Sequence, residues 1–271
     1  MKIIITALLG IIAYCGNAQT EHNLSVFKKG DTFKKIIYAK SSCALKRGTQ
    51  TLDINSYSEV LKGYKITDAS NNNFNFDVSV QKVTDTINAL GQQVHYCSDN
   101  APDTASSIEK ALKNLTGQTE KVTVDKNGFI LAASKATSQY ANDTLLSFAG
   151  LQTQQFYKGG SLDLTAGFQP NPTLKKNYTW GDSSVTGTHK IVSKYTIDNV
   201  SASTTTISFS SAVFDSYINS NINGVLVVDN KSGLMLNRQM QSVSIGYELV
   251  NGLVYAITRR SAVTESSYKS E

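Results

Sequence analysis

Polar and apolar residues alternate with a period of two along much of this chain, and this pattern most constrains its fold. The alternation is seen in residues 32–39, 74–80 and 204–213. Successive side chains of a β-strand point to opposite faces, so such segments bury one face of a sheet and leave the other in water. Only three prolines occur in 271 residues, which permits long strands. The sequence predicts a mainly β, α+β protein with a large antiparallel sheet.

Helical periodicity is clear in one segment. Apolar residues recur at i, i+3, i+4 and i+7 in Ile108, Ala111, Leu112 and Leu115. Ser106 and Glu109 form a capping-box pattern before them, and Gly117 follows. We expect this helix near 103–116 and a second one near 138–150.

Two segments of the chain resemble each other, which indicates an internal repeat. Residues 121–131 and 225–236 each read as a strand, a turn with Asp and Gly, and a second strand. Two halves, about 24–133 and 172–247, would each begin with an entering strand and end with this hairpin. With two copies and so long a period, we expect pseudo-repeated halves of one sheet, joined by a connector at 134–171.

The N-terminus has the pattern of a secretory leader. Lys2 precedes an apolar run from residue 3 to 13, and Gly16-Asn17-Ala18 fits a small-residue cleavage site. Residues 1–18 are therefore expected to be a signal peptide, leaving 19–271 as one β-rich domain. The apolar run is shorter than the roughly 20 residues of a membrane-spanning helix. Lipidation at Cys15 is the alternative, although Tyr14 departs from a lipobox. The protein is expected in the periplasm, at the outer membrane or secreted.

Charge and cysteine content narrow the class of protein. The net charge is +5, and the basic residues are scattered as singlets and pairs, which argues against a nucleic-acid partner. Cys43 and Cys97 are the two cysteines that remain after the predicted cleavage. An even count in an oxidising compartment predicts a disulfide between them.

These features together resemble an uncharacterised exported family of Bacteroidota. The matching pieces are the leader end at Ala18-Gln19 and segments 27–33, 124–128, 168–180 and 228–233. The resemblance implies the wide antiparallel half-barrel of periplasmic lipoprotein carriers, with helices against the concave face, and it implies no chemistry. In this chain Gly181-Asp182 follows Trp180, whereas the family's Gly-Asp precedes the Trp.

The same resemblance implies sites of O-glycosylation. Exported proteins of that phylum carry sugars at an Asp-Ser/Thr-aliphatic tripeptide. The tripeptides at Asp85, Asp103 and Asp143 place candidate acceptors at Thr86, Thr104 and Thr144. Turn or helix-cap chemistry is the alternative explanation of the same tripeptides.

Catalytic and metal patterns are weak. Gly181-Asp182-Ser183 is similar to the nucleophile block of one esterase superfamily, but no histidine follows His189 to act as base, so we interpret it as a turn. His22 and His95 are isolated and show no metal-ligand spacing. The loops that begin at Asp125 and Asp229 lack the distal acid of a calcium loop, and hairpin turns explain them.

Two hypotheses of function follow, and neither is enzymatic. The first is binding of a lipid or other hydrophobic ligand on the concave face of the sheet, with no cofactor and no metal. The candidate ligand face comprises Phe74, Phe76, Ile207, Phe209 and Tyr247. The same residues would equally serve as core beneath the helices. The second is a structural module that binds an envelope protein through a sheet edge or face. A hydrolase is the third choice.

Overall fold

The fold is described from a computed structural model. It describes residues 26–70, 73–101, 106–126, 128–134, 151, 156, 158–165, 175–186, 189–215, 217–250 and 253–270. The elements are β1 (Thr32–Arg47), β2 (Gln50–Ser70), β3 (Asn73–Ala89), β4 (Gln92–Cys97), α1 (Ser107–Leu115), β5 (Thr119–Asp125), β6 (Ile130–Ala133), β7 (Thr179–Thr186), β8 (His189–Val200), β9 (Thr204–Phe214), β10 (Ile218–Asp229), β11 (Met235–Val250) and β12 (Leu253–Ser270).

Several predictions fall on other parts of the chain. The signal peptide at 1–18, Cys15, His22, the second helix near 138–150, Thr104 and Thr144 lie outside the described residues. Most of the connector at 134–171 lies outside them as well. These predictions stay predictions.

The twelve strands of the described residues all belong to one antiparallel sheet that is not closed. The order is β6-β5-β3-β2-β1-β12-β11-β10-β9-β8-β7, with β4 also paired to β3. The first and last strands therefore meet in the middle, and β1 pairs with β12 from Thr32–Ser270 to Lys46–Ala256. The predicted large, curved, mainly β architecture is confirmed. We call β1–β6 the first half and β7–β12 the second half.

The alternation in sequence becomes an alternation in burial. In β1, Phe33 and Ala39 are buried while Tyr38 and Lys40 are exposed. Register carries this phase across the sheet, since Phe33 pairs with Tyr64 on β2 and Tyr64 pairs with Val78 on β3. We call the face that carries Phe33 and Tyr64 the inner face, and the opposite one the outer face.

The two predicted hairpin turns are present. At the first, the Asp125 carboxylate accepts a hydrogen bond of 2.9 Å from the Phe129 amide, and Gly128 has φ +81°. At the second, Asp229 accepts from the Ser232 amide at 2.7 Å, and Gly233 has φ +70°. Glycine adopts this left-handed backbone at no steric cost, which explains both glycines. The turn interpretation of both loops is confirmed.

Helix α1 covers part of the inner face of the first half. It begins after Ser106, whose hydroxyl accepts a hydrogen bond of 3.2 Å from the Glu109 amide, as the capping pattern predicts. Ala111 and Leu112 are buried in a cluster with Val83 and other inner-face residues. Its amphipathic pattern therefore makes it a lid on the sheet.

Residues 158–165, which we call the bridging segment, join the two hairpin ends. The Gly160 carbonyl accepts from the Ile130 amide at 2.7 Å in the first half, and the Leu164 carbonyl accepts from the Met235 amide at 3.1 Å in the second half. Leu162 and Leu164 are fully buried in the core cluster that contains Phe76. The segment thus fills the inner face between the two hairpins.

The predicted disulfide between Cys43 and Cys97 is wrong, because both residues are free cysteines. Cys43 lies on β1 and Cys97 on β4, with β2 and β3 between them. Three strand spacings of about 4.8 Å each place β1 and β4 roughly 14 Å apart, which is beyond the reach of a disulfide. Cys43 is instead buried with Leu45, Ile54 and Ile257.

Candidate functional site

A cavity of about 440 Å³ lies between the inner face of the sheet and α1. Its walls come from both halves of the sheet, from α1 and from the bridging segment. Apolar side chains that line it include Ile37, Val60, Leu115, Ile222, Met240 and Val263. A concave, mainly apolar space of this size is typical of a small-molecule site.

The floor of the cavity consists of three neighbouring rows of the sheet. The middle row is apolar, because Ala39, Val263 and Met240 are paired across β1, β12 and β11. Two residues further along the strands in one direction, Ser261 pairs with Ser242. Two residues from the middle row in the other direction, Glu265 pairs with Arg238, and this pair belongs to the charged row. At a rise of about 3.4 Å per residue, the distance from the serine row to the charged row is about 14 Å. The floor is therefore apolar between two polar ends.

An ionic cluster forms the charged end. Lys35 is fully buried, and its ammonium lies 2.6 Å from Glu265 Oε2 and 3.4 Å from Asp163 Oδ2. The same ammonium donates to the Asp163 backbone carbonyl at 2.8 Å. Because Asp163 belongs to the bridging segment, this lysine joins that segment to the centre of the sheet.

Three more side chains complete the cluster. Lys62 Nζ lies 3.2 Å from Asp163 Oδ2, and the Tyr64 hydroxyl donates to Asp163 Oδ1 at 2.6 Å. Arg238 forms an ion pair with Glu265. Asp163, Glu265, Lys62 and Arg238 all line the cavity, so its wall presents fixed charges of both signs.

Burial and pairing shift the pKa values in opposite directions. Burial alone would raise the pKa of Glu265, but the charges of Lys35 and Arg238 outweigh it, and the pKa lies below its usual range. Burial lowers the pKa of Lys35, although Asp163 and Glu265 oppose the shift. Burial and the negative charge of Asp163 hold the pKa of Tyr64 well above its usual range. Tyr64 therefore acts as a hydrogen-bond donor at neutral pH.

A second buried acid lies on the inner face of the first half. Asp85 Oδ1 accepts a hydrogen bond of 2.8 Å from Ser58, while Oδ2 has no hydrogen-bond partner among the described residues. Burial raises its pKa to about 7. The nearby hydroxyls of Ser41 and Ser56 are also buried, and the residues that the structure describes give them no hydrogen-bond partner. None of the described cations forms an ion pair with this carboxyl, in contrast to Glu265.

Four of the five residues of the predicted ligand face lie on the inner face of the sheet. Phe74, Phe76, Ile207 and Phe209 all belong to the packed clusters of the inner face. The prediction for Tyr247 is wrong: it alternates out of phase with the inward Gly246 and Glu248 and is 60% exposed on the outer face. None of these five residues lines the cavity.

The residues that do form the charged end escaped the sequence analysis. Lys35 had a usable signal, because it has the same phase as Phe33 and Ala39 within an alternating strand. A charged residue at an inward position of a strand needs a partner. The partners Asp163 and Glu265 are far from it in sequence, and no spacing rule connects them.

The other predicted sites are separate from this cavity. Gly181-Asp182-Ser183 lies inside β7, so its interpretation as a turn is wrong. Thr86 lies within β3, and its hydroxyl is 3.0 Å from His95 Nδ1 on β4. Among the described residues, no group of three or more His, Cys, Asp or Glu side chains is placed to hold a metal ion. Within the same residues, no helix has the length and apolar character needed to cross a membrane.

Comparisons with known proteins add little beyond this geometry. No protein-family model matches the sequence, and no curated protein matches it significantly. A structure of lipid–protein interactions in lipovitellin aligns with 90% of this chain at 10% identity and a TM-score of 0.49, and this chain spans 26% of that one. An outer membrane channel from Pseudomonas putida F1 aligns with 93% of this chain and 98% of its own at 7% identity and a TM-score of 0.22. At these values neither likeness carries an inference about function.

Proposed function

We propose that this protein is an exported, non-catalytic binding protein that holds a lipid or other hydrophobic ligand in the cavity beneath α1. The observation that carries this proposal is the apolar floor shared by the two halves. Ile37 and Ala39 of the first half face the same space as Ile222 and Met240 of the second. Export is inferred from the N-terminal leader pattern.

The apolar side chains that line the cavity are less buried than those of the packed clusters, and this difference supports a bound ligand. Phe76 and Val83 are buried against other side chains, whereas Ile222 and Met240 are only half-buried and face the cavity. Each Å² of such apolar surface removed from water contributes roughly 25 cal/mol. An acyl chain in the cavity would cover these side chains and provide the driving force for binding.

A second candidate function is binding of an envelope protein, and the outer face favours it. Ile245 and Tyr247 on β11 and Val254 on β12 are exposed by about 60% each, and they are neighbours at one end of the β11–β12 hairpin. Exposed apolar neighbours of this kind are typical of contact surfaces. This surface is separate from the cavity, so the two candidates can be tested independently.

Filling the cavity tests the first candidate. We expect the wild-type protein to bind one equivalent of the neutral apolar probe N-phenyl-1-naphthylamine, and hexadecanol to displace it. Met240→Trp places a large ring in the cavity and should weaken probe binding at least tenfold. Val243→Trp, on the exposed outer face of the same strand, is the matched control and should bind as the wild type does. Equal binding by both variants would place the probe elsewhere and contradict the proposal.

A further inference from the structure

Arg238 is a charged residue of the cavity wall whose hydrogen-bond donors are only partly used. Its guanidinium forms one ion pair, to Glu265, and both residues line the cavity. Within the described part of the chain the Arg238 Nε–H has no hydrogen-bond partner, and 27% of the side chain remains exposed. Buried donors are almost always paired in folded proteins, so an unpaired donor beside a cavity indicates a missing acceptor.

The charges around Arg238 favour an acceptor that is an anion. Arg238 and Lys62 contribute two cations to the cavity wall, and Lys35 lies fully buried behind them. Asp163 and Glu265 are engaged by these same cations. Glu120 is the third acid that lines the cavity. Burial raises the pKa of Glu120, although the positive charge of Lys62 opposes this shift. A guanidinium matches the oxygens of a carboxylate or phosphate with parallel N–H donors.

A purely apolar ligand would offer no acceptor to the Arg238 guanidinium at the cavity wall. Taking ionised groups out of water is costly, and well-packed apolar residues in their place would often be as stable or more so. The cluster sits at one end of the apolar floor, with the Met240 row next to it. This layout separates a polar end from an apolar end, as an amphiphile does.

We propose that the ligand is a single-chain amphiphile whose anionic head group, a carboxylate or a phosphate, accepts hydrogen bonds from Arg238. Its chain lies over Met240 in the middle row and reaches Ile222, which pairs with Ser242 at the far end of the floor. This inference rests on the proposed function and deepens it, because it specifies the chemical class of the ligand and the residue that recognises it.

Three ligands with the same sixteen-carbon chain test this assignment: palmitate, hexadecyl phosphate and hexadecanol, each measured by displacement of the neutral probe. The wild-type protein should bind at least one of the two anions at least tenfold more tightly than hexadecanol. Preference for palmitate alone identifies a carboxylate head group, and preference for hexadecyl phosphate alone identifies a phosphate. Arg238→Met should remove the preference and keep hexadecanol binding. Arg260→Met, which removes an exposed charge from the outer face, is the matched control and should keep the preference.

The outcomes separate the two proposals. If none of the three ligands binds the wild type, the proposed function itself fails. If hexadecanol binds as tightly as the anions, the head-group assignment fails while the cavity remains a binding site. Equal weakening of all three ligands in Arg238→Met would also overturn the assignment. Arg238→Gln, which keeps a polar but shorter and uncharged side chain, repeats the test if the methionine variant unfolds.

Discussion

The two halves of the sheet show the same alternation but bury their inner faces to different extents. In the first half, Phe33, Ile66 and Phe76 are almost fully buried beneath the bridging segment, and Val83 lies beneath α1. In the second half, inward residues of β10 and β11 near the middle of the sheet, such as Met240, are only half-buried. The difference follows from the covering elements, since α1 contacts the first half.

Two levels of structure determine the environment of each side chain in this sheet. Strand alternation decides which face a side chain occupies, and the elements that lie above that face decide whether it becomes core or cavity. The cavity lies where covered and less covered regions meet, with its lining drawn from both. Substitutions in the covered region and in the less covered region should therefore change the free energy of unfolding by very different amounts.

Truncation of an inward side chain should show the largest difference. Phe76 is 1% exposed, so Phe76→Ala should lower the free energy of unfolding by about 3–5 kcal/mol through lost burial and a new void. Met240 faces the cavity, so Met240→Ala should cost only about 1 kcal/mol. Urea denaturation of both variants measures the contrast. Similar losses would mean that the second half is as tightly covered as the first.

The pH dependence of stability should depend on Asp85. Its pKa is about 7 in the folded protein and near 3.8 in the unfolded chain, so between these values the folded state holds a proton that the unfolded state has released. Stability from this group is therefore complete below pH 4 and lost as the pH rises through 7, by on the order of 2–4 kcal/mol. Urea denaturation between pH 4 and 8 should show this decline in the wild type and not in Asp85→Asn.

Glu265 contributes a slope of the opposite sign, at pH values below most of this range. Its pKa is lowered by Lys35 and Arg238, so its contribution is present above the usual carboxyl pKa and is lost as the pH falls further. Asp53→Asn, at an exposed position on β2, is the control for removing a charge and should keep the wild-type decline. A wild-type profile that rises steadily from pH 4 to 8 would contradict the account of Asp85.

Weakening helix α1, which covers the inner face of the first half, should have the smallest effect on the free energy of unfolding. Ser106→Ala removes the cap of α1 and should cost about 1 kcal/mol, because the Glu109 amide loses its acceptor. Hydrogen exchange of amides in α1 should then accelerate about fivefold, while β8 and β9 keep their protection. Ser183→Ala, at an exposed position of β7, should leave exchange in α1 unchanged. Equal acceleration across the whole sheet would mean that α1 is not a separate cover.

Much of the fold could be predicted from the sequence because its signals are local. Alternation placed β1, β3 and β9, the spacing of Ala111 and Leu112 placed α1, and the Asp-and-Gly patterns placed both turns. The order of strands in the sheet was not predictable in the same way. Pairing of β1 with β12 joins residues more than 200 positions apart, and no local pattern specifies it.

The candidate site was less accessible to sequence reasoning. Phe74 and Phe76 stood out as an apolar stripe, but whether such a stripe is packed or open depends on the bridging segment. Cys43 and Cys97 were paired by counting, which carries no information about distance. Arg238 and Glu265 look like ordinary strand residues until register places them opposite each other.

Native mass spectrometry of the protein purified from its own cell envelope, followed by extraction with organic solvent, tests the central claim most directly. We expect a bound species of defined mass that the solvent releases and that contains one acyl chain with an acidic head group. A protein that carries no such species, and whose Met240→Trp variant is equally bare, would contradict the account and favour a role in binding an envelope protein.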